Sequence, residues 1–256
     1  MNKELETFYK ERKQHIEAMP LDKDLKNKAN DFMKKTGSYK YTYNFDWFGR
    51  PIIQFPQDIV ALQELFFKIK PTIYIETGIA HGGSSILASS MMYLLDIYDG
   101  ISDISQSTRK VISIDIDIKA HNRNLIENHP FSKNITLIEG SSTDQKTIDQ
   151  VKEIYEKESE PIVMVSLDSN HTSEHVAKEL EMYSEFVSHG SYLIVWDTSI
   201  EFDDNSLHLK RPWSSGNSPL TAIKQWLPNN PSFIVDHEIS DKLLITVAPS
   251  GFLRKL

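Results

Sequence analysis

From residue 72 the chain alternates short, nearly unbroken apolar runs with longer amphipathic stretches. The runs are TIYIE (72–76), VISID (111–115), ITLIE (135–139), IVMVSLD (162–168) and SYLIVWD (191–197). Helical periodicity occupies the stretches near 83–96, 119–128, 144–157, 173–187 and 218–227. Runs this short, without polar residues at alternate positions, are strands covered on both faces, as in a parallel sheet with helices above and below. Five such strands joined by right-handed crossovers are expected. Two further runs, SFIVDHE (232–238) and KLLITVAP (242–249), stand too close for a crossover helix and are expected to pair as an antiparallel hairpin. The pattern predicts an α/β fold: a doubly wound, mostly parallel seven-stranded sheet with a C-terminal antiparallel hairpin.

The first 56 residues follow another pattern. Positions 1–36 read as one or two charged helices broken at Pro20, whose sparse apolar positions fit either a solvated flap or a lid or dimerisation arm. SYKYTYNFDWFGRPIIQFP (38–56) is dense in aromatic rings and is expected to pack across a core edge. Pro56 then opens a helix that places Ile59, Leu62, Phe66 and Ile69 on one face. The expected organisation is an N-terminal helical and aromatic appendage over 1–56, followed by one domain over 57–256.

Charge narrows the partners. With 28 basic and 36 acidic side chains the net charge is -8, which repels a polyanion, so a small-molecule partner is expected and a nucleic acid is not. The absence of cysteine removes thiolate nucleophiles and disulfides. The N-terminus MNKELETFYKERKQ lacks the apolar centre of a signal peptide, and no run approaches the roughly 18 apolar residues that span a bilayer. A cytoplasmic protein without a membrane span is expected, with homo-oligomerisation left open.

Ligands of open α/β sheets bind outside the carboxyl ends of the strands, which makes the residues after each strand the candidates. After the first comes YIETGIAHGGSS (74–85), with Glu76, Gly78, Gly82 and Ser84 in the pattern E-x-G-x-x-x-G-x-S. A dinucleotide fingerprint would need glycine where Ala80 stands, and no Gly-Lys-Ser/Thr follows for a P-loop. Gly78 permits close approach of backbone to ligand, Gly82 opens the helix, and Ser84 adds a hydroxyl beside its free N–H groups. That is a seat for a small carboxylate, such as the amino-acid tail of S-adenosylmethionine. Asp115 ends the second strand, with Asp117 just beyond, and a carboxylate there accepts both ribose hydroxyls of an adenosine whichever cofactor carries it. Ser141, Ser142, Thr143 and Asp144 follow the third strand, placed either to reach an adenine edge or to cap the next helix.

The fourth and fifth strands end in LDSNHT and VWDT. Each of Asp168 and Asp197 alone reads first as a helix or turn cap, but together on neighbouring tips they suit a hard divalent ion such as magnesium. His171 is the candidate base for an acceptor hydroxyl, and His175 reads as a solvated helix residue. The polar loop LHLKRPWSSGNSP (207–219), with Arg211, Trp213 and Gly216, is placed to cover an acceptor pocket, and Ser218 and Pro219 read as helix cap and first position.

Taken together, YNFDWFGRPIIQFPQDIVALQELFF, ETGIAHGGS, ISIDIDI, LIEGSSTD, LDSNHTSEHV, GSYLIVWDT, RPWSSGNSP and KLLITVAPSGFLRK closely resemble the cephalosporin hydroxylase family, over roughly residues 38–256. Members include sugar and rhamnosyl O-methyltransferases on the Rossmann-like methyltransferase fold. The resemblance implies S-adenosylmethionine as methyl donor, a sugar or other small polar metabolite as acceptor, and magnesium on Asp168 and Asp197. A more distant similarity to catechol O-methyltransferases implies a base at the position of His171, where those enzymes carry lysine. The pattern departs at Trp196, where relatives tend to carry a second metal-ligating residue, and an indole there would narrow the site or stack on a sugar face. Two other classes stay open at this point: a nicotinamide-dependent Rossmann oxidoreductase, disfavoured by Ala80, and a non-catalytic binding module, permitted by Trp196.

Overall fold

The computed structural model describes residues 2–203 and 210–256. Two charged helices, α1 (Lys3–Ala18) and α2 (Lys23–Gly37), open the chain and meet at the Pro20 turn, where the Asp22 carboxylate caps α2 by accepting from Leu25 N at 3.0 Å. The aromatic stretch forms a hairpin of β1 (Phe45–Trp47) and β2 (Arg50–Ile52), with Tyr41, Phe45 and Trp47 packed on the core. Pro56 starts α3 (Pro56–Ile69) as expected; Leu62 and Phe66 are buried and Ile59 and Ile69 partly so.

The main sheet contains β3 (Ile73–Thr77), β4 (Lys110–Asp115), β5 (Ile135–Glu139), β6 (Val163–Leu167), β7 (Tyr192–Val195), β8 (Phe233–Val235) and β9 (Phe252–Lys255), in spatial order β5-β4-β3-β6-β7-β9-β8. The first five are parallel, and β9 lies antiparallel to both β7 and β8. Helices α4 (Gly83–Tyr98), α5 (Ala120–Glu127), α6 (Gln145–Tyr155), α7 (Ser173–Tyr183) and α8 (Pro219–Trp226) connect or follow the strands. One apolar layer gathers Ile73, Val165 and Leu193 with α6, α7 and α8, and another gathers Tyr74, Met164 and Ile194 with α3 and α4. Both faces are therefore dry, which is why these strands lack polar alternation. The order reverses direction between β3 and β6, and that switch point opens a crevice at the strand ends. Among the described residues no helix is long and apolar enough to cross a membrane.

The C-terminal hairpin is displaced from its expected position. Residues 242–249 are not a strand: α9 (His237–Leu243) follows β8, and Thr246, Val247 and Ala248 form a buried irregular segment. The pairing partner of β7 and β8 is instead Phe252–Lys255. An apolar run reports burial and not strand geometry, and here its hydrogen bonds go to a side chain. Val247 N and the Thr246 hydroxyl both donate to the Asp58 carboxylate, at 3.1 and 2.5 Å.

Candidate active site

The carboxyl ends of β3, β4, β6 and β7 surround a cavity of about 570 Å³, roofed by Tyr41, Tyr43, Gln54 and Phe55 on one side and by Arg211 and Trp213 on another. Its floor is the glycine turn, where Gly78, Ala80 and Gly82 take φ of 80°, 44° and 82°. A Cβ at Gly78 would stand 2.1 Å from the Asp168 carbonyl oxygen, so this glycine serves the close approach of β3 to β6. Gly83 plays a similar part, since a Cβ there would lie 2.2 Å from the Pro51 carbonyl. Buried Arg50 fixes the turn from outside, donating Nε to the His81 carbonyl at 3.0 Å and Nη2 to Asn122 Oδ1 at 2.9 Å, while Asn122 Nδ2 donates to the Ala80 carbonyl at 3.1 Å. The unpaired N–H groups of the first turn of α4 thereby stand at the cavity wall beside Ser84, with the positive end of the helix dipole.

Glu76 does not line this cavity. It is 2 % exposed and accepts from Ser85 Oγ at 2.5 Å and Ser113 Oγ at 2.7 Å, tying β3 to α4 and β4. Burial pushes its carboxyl up, and the hydroxyls of Ser113, Ser85 and Ser84 pull it back. Asp115 lines the cavity with its carboxylate anchored by Ile79 N at 3.0 Å and Asp117 N at 3.2 Å. Asp117 is exposed and paired with Lys119. Ser142 is 5 % exposed, turned to His175 at 3.0 Å, and Asp144 occupies the N-cap position of α6 without a capping bond from its side chain.

At the other end, Asp168, His171 and Asp197 come together with one ligand atom of each within 4.8 Å of the others. Neither carboxylate is a helix cap: Thr172 is the N-cap residue of α7, and the Asp197 side chain makes no capping bond to the turn that follows it. Instead His171 Nε2 lies 3.2 Å from Asp197 Oδ2, and Trp213 stands edge-on to the imidazole, centroids 4.6 Å apart at 87°. Arg211 packs over the Trp213 ring at 5.1 Å. Asp168 is raised well above the usual carboxylate range, first by burial and then by the charges of Asp197, Glu76, Glu179 and Asp58. Of the covering loop, Ser218 caps α8 by accepting from Thr221 N at 3.2 Å, while 207–209 lie outside the described residues.

Residues 39–256 match the family described as Rhamnosyl O-methyltransferase/CmcI. The chain belongs to that family. Similar relatives include the rhamnosyl O-methyltransferase of Mycobacterium bovis, 28 % identical over 77 % of this chain and 72 % of that protein. The enzyme of the same name from Mycobacterium leprae is 25 % identical over 81 % of each. Among solved structures, CmcI with Mg and SAM superposes with a TM-score of 0.54 at 16 % identity over 84 % of this chain and 77 % of that one. An O-methyltransferase from Bacillus cereus in complex with SAH gives 0.50 at 14 % identity over 86 % and 90 %. These two likenesses concern the fold.

The family member departs from sequence expectation at Trp196. Its indole is not in the acceptor cavity: it is 3 % exposed, donates Nε1 to Ser166 Oγ at 2.6 Å and packs edge-on against Phe252. Trp196 N still bonds the Leu167 carbonyl at 3.0 Å, so the residue continues the strand with its indole in the layer of Tyr192 and Ile194, and the chain turns at Asp197, which takes φ of 54°. Sequence reading also missed Gln54, 5 % exposed at the cavity wall with an Oε1 that has no partner among the described residues. It missed Asp58 as well, fully buried near Asp197. Only a structure places these residues, because Gln54 belongs to no motif and the partners of Asp58, Thr246 and Val247, are distant in sequence.

Proposed function

We propose that this chain is an S-adenosylmethionine-dependent O-methyltransferase acting on a hydroxyl of a sugar. The observation that carries the reading is one cavity with a helix N-terminus at one end and a carboxylate-flanked imidazole at the other, in a chain whose family members are named for rhamnosyl O-methylation. S-adenosylmethionine, when bound, supplies a methyl group on a sulfonium. The residues present fit it: the free N–H groups at Gly83 and Ser84 would seat its carboxylate, the orphaned Gln54 Oε1 would accept from its ammonium, and Asp115 would accept from the ribose hydroxyls.

The acceptor must be aligned and relieved of its proton. Asp197 Oδ2 stands 3.2 Å from His171 Nε2, where it would hold that nitrogen's hydrogen and leave the Nδ1 lone pair to take a proton. Trp213 holds the ring plane. Asp168 and Asp197 would hold a divalent magnesium, which supplies charge that lowers the pKa of a bound hydroxyl; the donor set fits, since a cation would relieve the mutual repulsion that raises Asp168. Tyr41, Tyr43 and Trp213 line the cavity where a sugar would pack, and residues within 36–55 of the N-terminal segment form part of its cover.

Thermal unfolding tests the reading. S-adenosylhomocysteine should raise the Tm and NADP should not, because a ligand that binds only the folded state stabilises it. A shift with NADP and none with S-adenosylhomocysteine would replace the methyltransferase by an oxidoreductase.

A further inference from the structure

Helix α7 carries His175, Glu179 and Tyr183 at four-residue spacing, turned toward the loops that follow β5 and β6. The Tyr183 hydroxyl donates to the Ser142 carbonyl at 2.9 Å. His175 Nε2 lies 3.0 Å from Ser142 Oγ and 3.1 Å from Ser169 Oγ, and Ser169 Oγ donates to Glu179 Oε1 at 2.7 Å. Glu179 is fully buried, and its Oε2 has no hydrogen-bond partner among the described residues. A carboxylate taken out of water needs donors or a cation. Among the described residues the ion-pair partner offered to it is the His175 imidazole, with Nε2 3.7 Å from Oε1.

Hydrogen accounting gives this cluster a direction. Ser169 has one hydroxyl hydrogen, and it is committed to Glu179. His175 Nε2 must therefore carry the hydrogen that two serine oxygens share. Those serines belong to different loops: Ser142 follows β5, at the end of the crevice beyond Asp115, and Ser169 is the neighbour of Asp168. Neither His175 nor Glu179 lines the cavity.

We propose that His175 and Glu179 are positioning residues that lock the loop at the adenosine end of the cofactor site to the loop carrying Asp168, with the Glu179 charge holding the imidazole in its donating state. The inference rests on the methyltransferase reading above. It also revises the part of Ser142, whose hydroxyl is held by α7 and which does not line the cavity.

Calorimetric titration with S-adenosylhomocysteine tests this on the full chain and on His175→Ala, His175→Gln and Ser142→Ala, with melting curves alongside. Glutamine can place an amide N–H near the position of Nε2, so it should keep the clamp. His175→Ala should weaken binding about tenfold, as expected when a buried hydroxyl loses its donor, and His175→Gln should stay within about threefold of wild type. Ser142→Ala should weaken binding to a similar extent, and adding it to His175→Ala should cost little more, because both remove one shared bond. Wild-type affinity in His175→Ala, or equal losses in the alanine and glutamine variants, overturns the inference while leaving the enzyme reading intact. If His175→Ala does not fold, wild-type affinity in Ser142→Ala overturns it equally. No binding to the wild type would remove the enzyme reading and this inference with it.

Discussion

The two ends of the crevice treat their carboxylates in opposite ways. On the cofactor side, Glu76 accepts from two serine hydroxyls that pull it back against burial, and Asp115 accepts from two backbone N–H groups, so each has its donors before any ligand arrives. On the acceptor side, every leading influence on Asp168, burial and four other carboxylates, raises it, and Asp197 faces the His171 imidazole. The first arrangement makes a rigid seat and the second holds unrelieved charge beside a proton acceptor. Binding and chemistry are thereby separable in one cavity, and each difference can be broken by substitution.

The largest effects belong to the acceptor side. Asp168→Asn, Asp197→Asn and His171→Ala should each lower turnover by about 10²-fold or more on a sugar that the wild type methylates, with S-adenosylhomocysteine affinity nearly unchanged. Initial rates and calorimetry on the same preparations check both halves. Removing divalent metal with a chelator should lower the wild-type rate and add little to the loss in Asp197→Asn. A matching loss of cofactor affinity in these variants would erase the distinction between the two ends.

How far that distinction was legible in sequence depends on the range of the contacts. The parallel strands, the glycine turn and the pairing of Asp168 with Asp197 on adjacent tips follow from local pattern and from the geometry of open sheets. The side-chain partners do not. Glu76 carries the expected E-x-G pattern, yet its carboxylate is taken by Ser113, 37 residues away. Asp58 is held by Thr246, 188 residues away, and that contact converts the apolar run 242–249 from an expected strand into a buried loop. Trp196 and Asp197 adjoin in sequence, but the indole stays in the layer of α3 and α4, bonded to Ser166 of β6, while the chain turns into a left-handed conformation at Asp197. His175 was assigned to solvent because nothing local announces Ser142 and Ser169 as its partners.

A second contrast concerns pH. Burial raises Asp58 to about 7 from an ordinary 3.8, against the hydrogen bonds from Thr246 and Val247. Between those values the folded protein retains a proton that the unfolded chain has lost, so stability falls as pH rises through the window and levels off above it. The contribution is at most on the order of 4 kcal/mol. Asp58→Asn removes the titration, and urea unfolding should find the variant's stability relative to wild type improving from pH 5 to pH 8. A relative stability that declines over that range would place the buried proton elsewhere.

The smallest expected effects separate two aspartates on the cofactor side. Asp115 lines the cavity and already holds Ile79 N and Asp117 N, so its oxygens are fixed in the direction of the crevice. Asp115→Asn takes away acceptor capacity and leaves either a backbone N–H or a ribose hydroxyl unpaired, at about 1–3 kcal/mol of S-adenosylhomocysteine affinity. Asp117 lies outside the cavity in an exposed pair with Lys119, and solvent screens such pairs. Asp117→Asn should therefore leave calorimetric affinity unchanged. Were Asp117→Asn to weaken binding as much as Asp115→Asn, the ribose contact would have to lie on the outer rim, and the satisfied, inward-facing seat described for this side would be the wrong picture of how the cofactor is held.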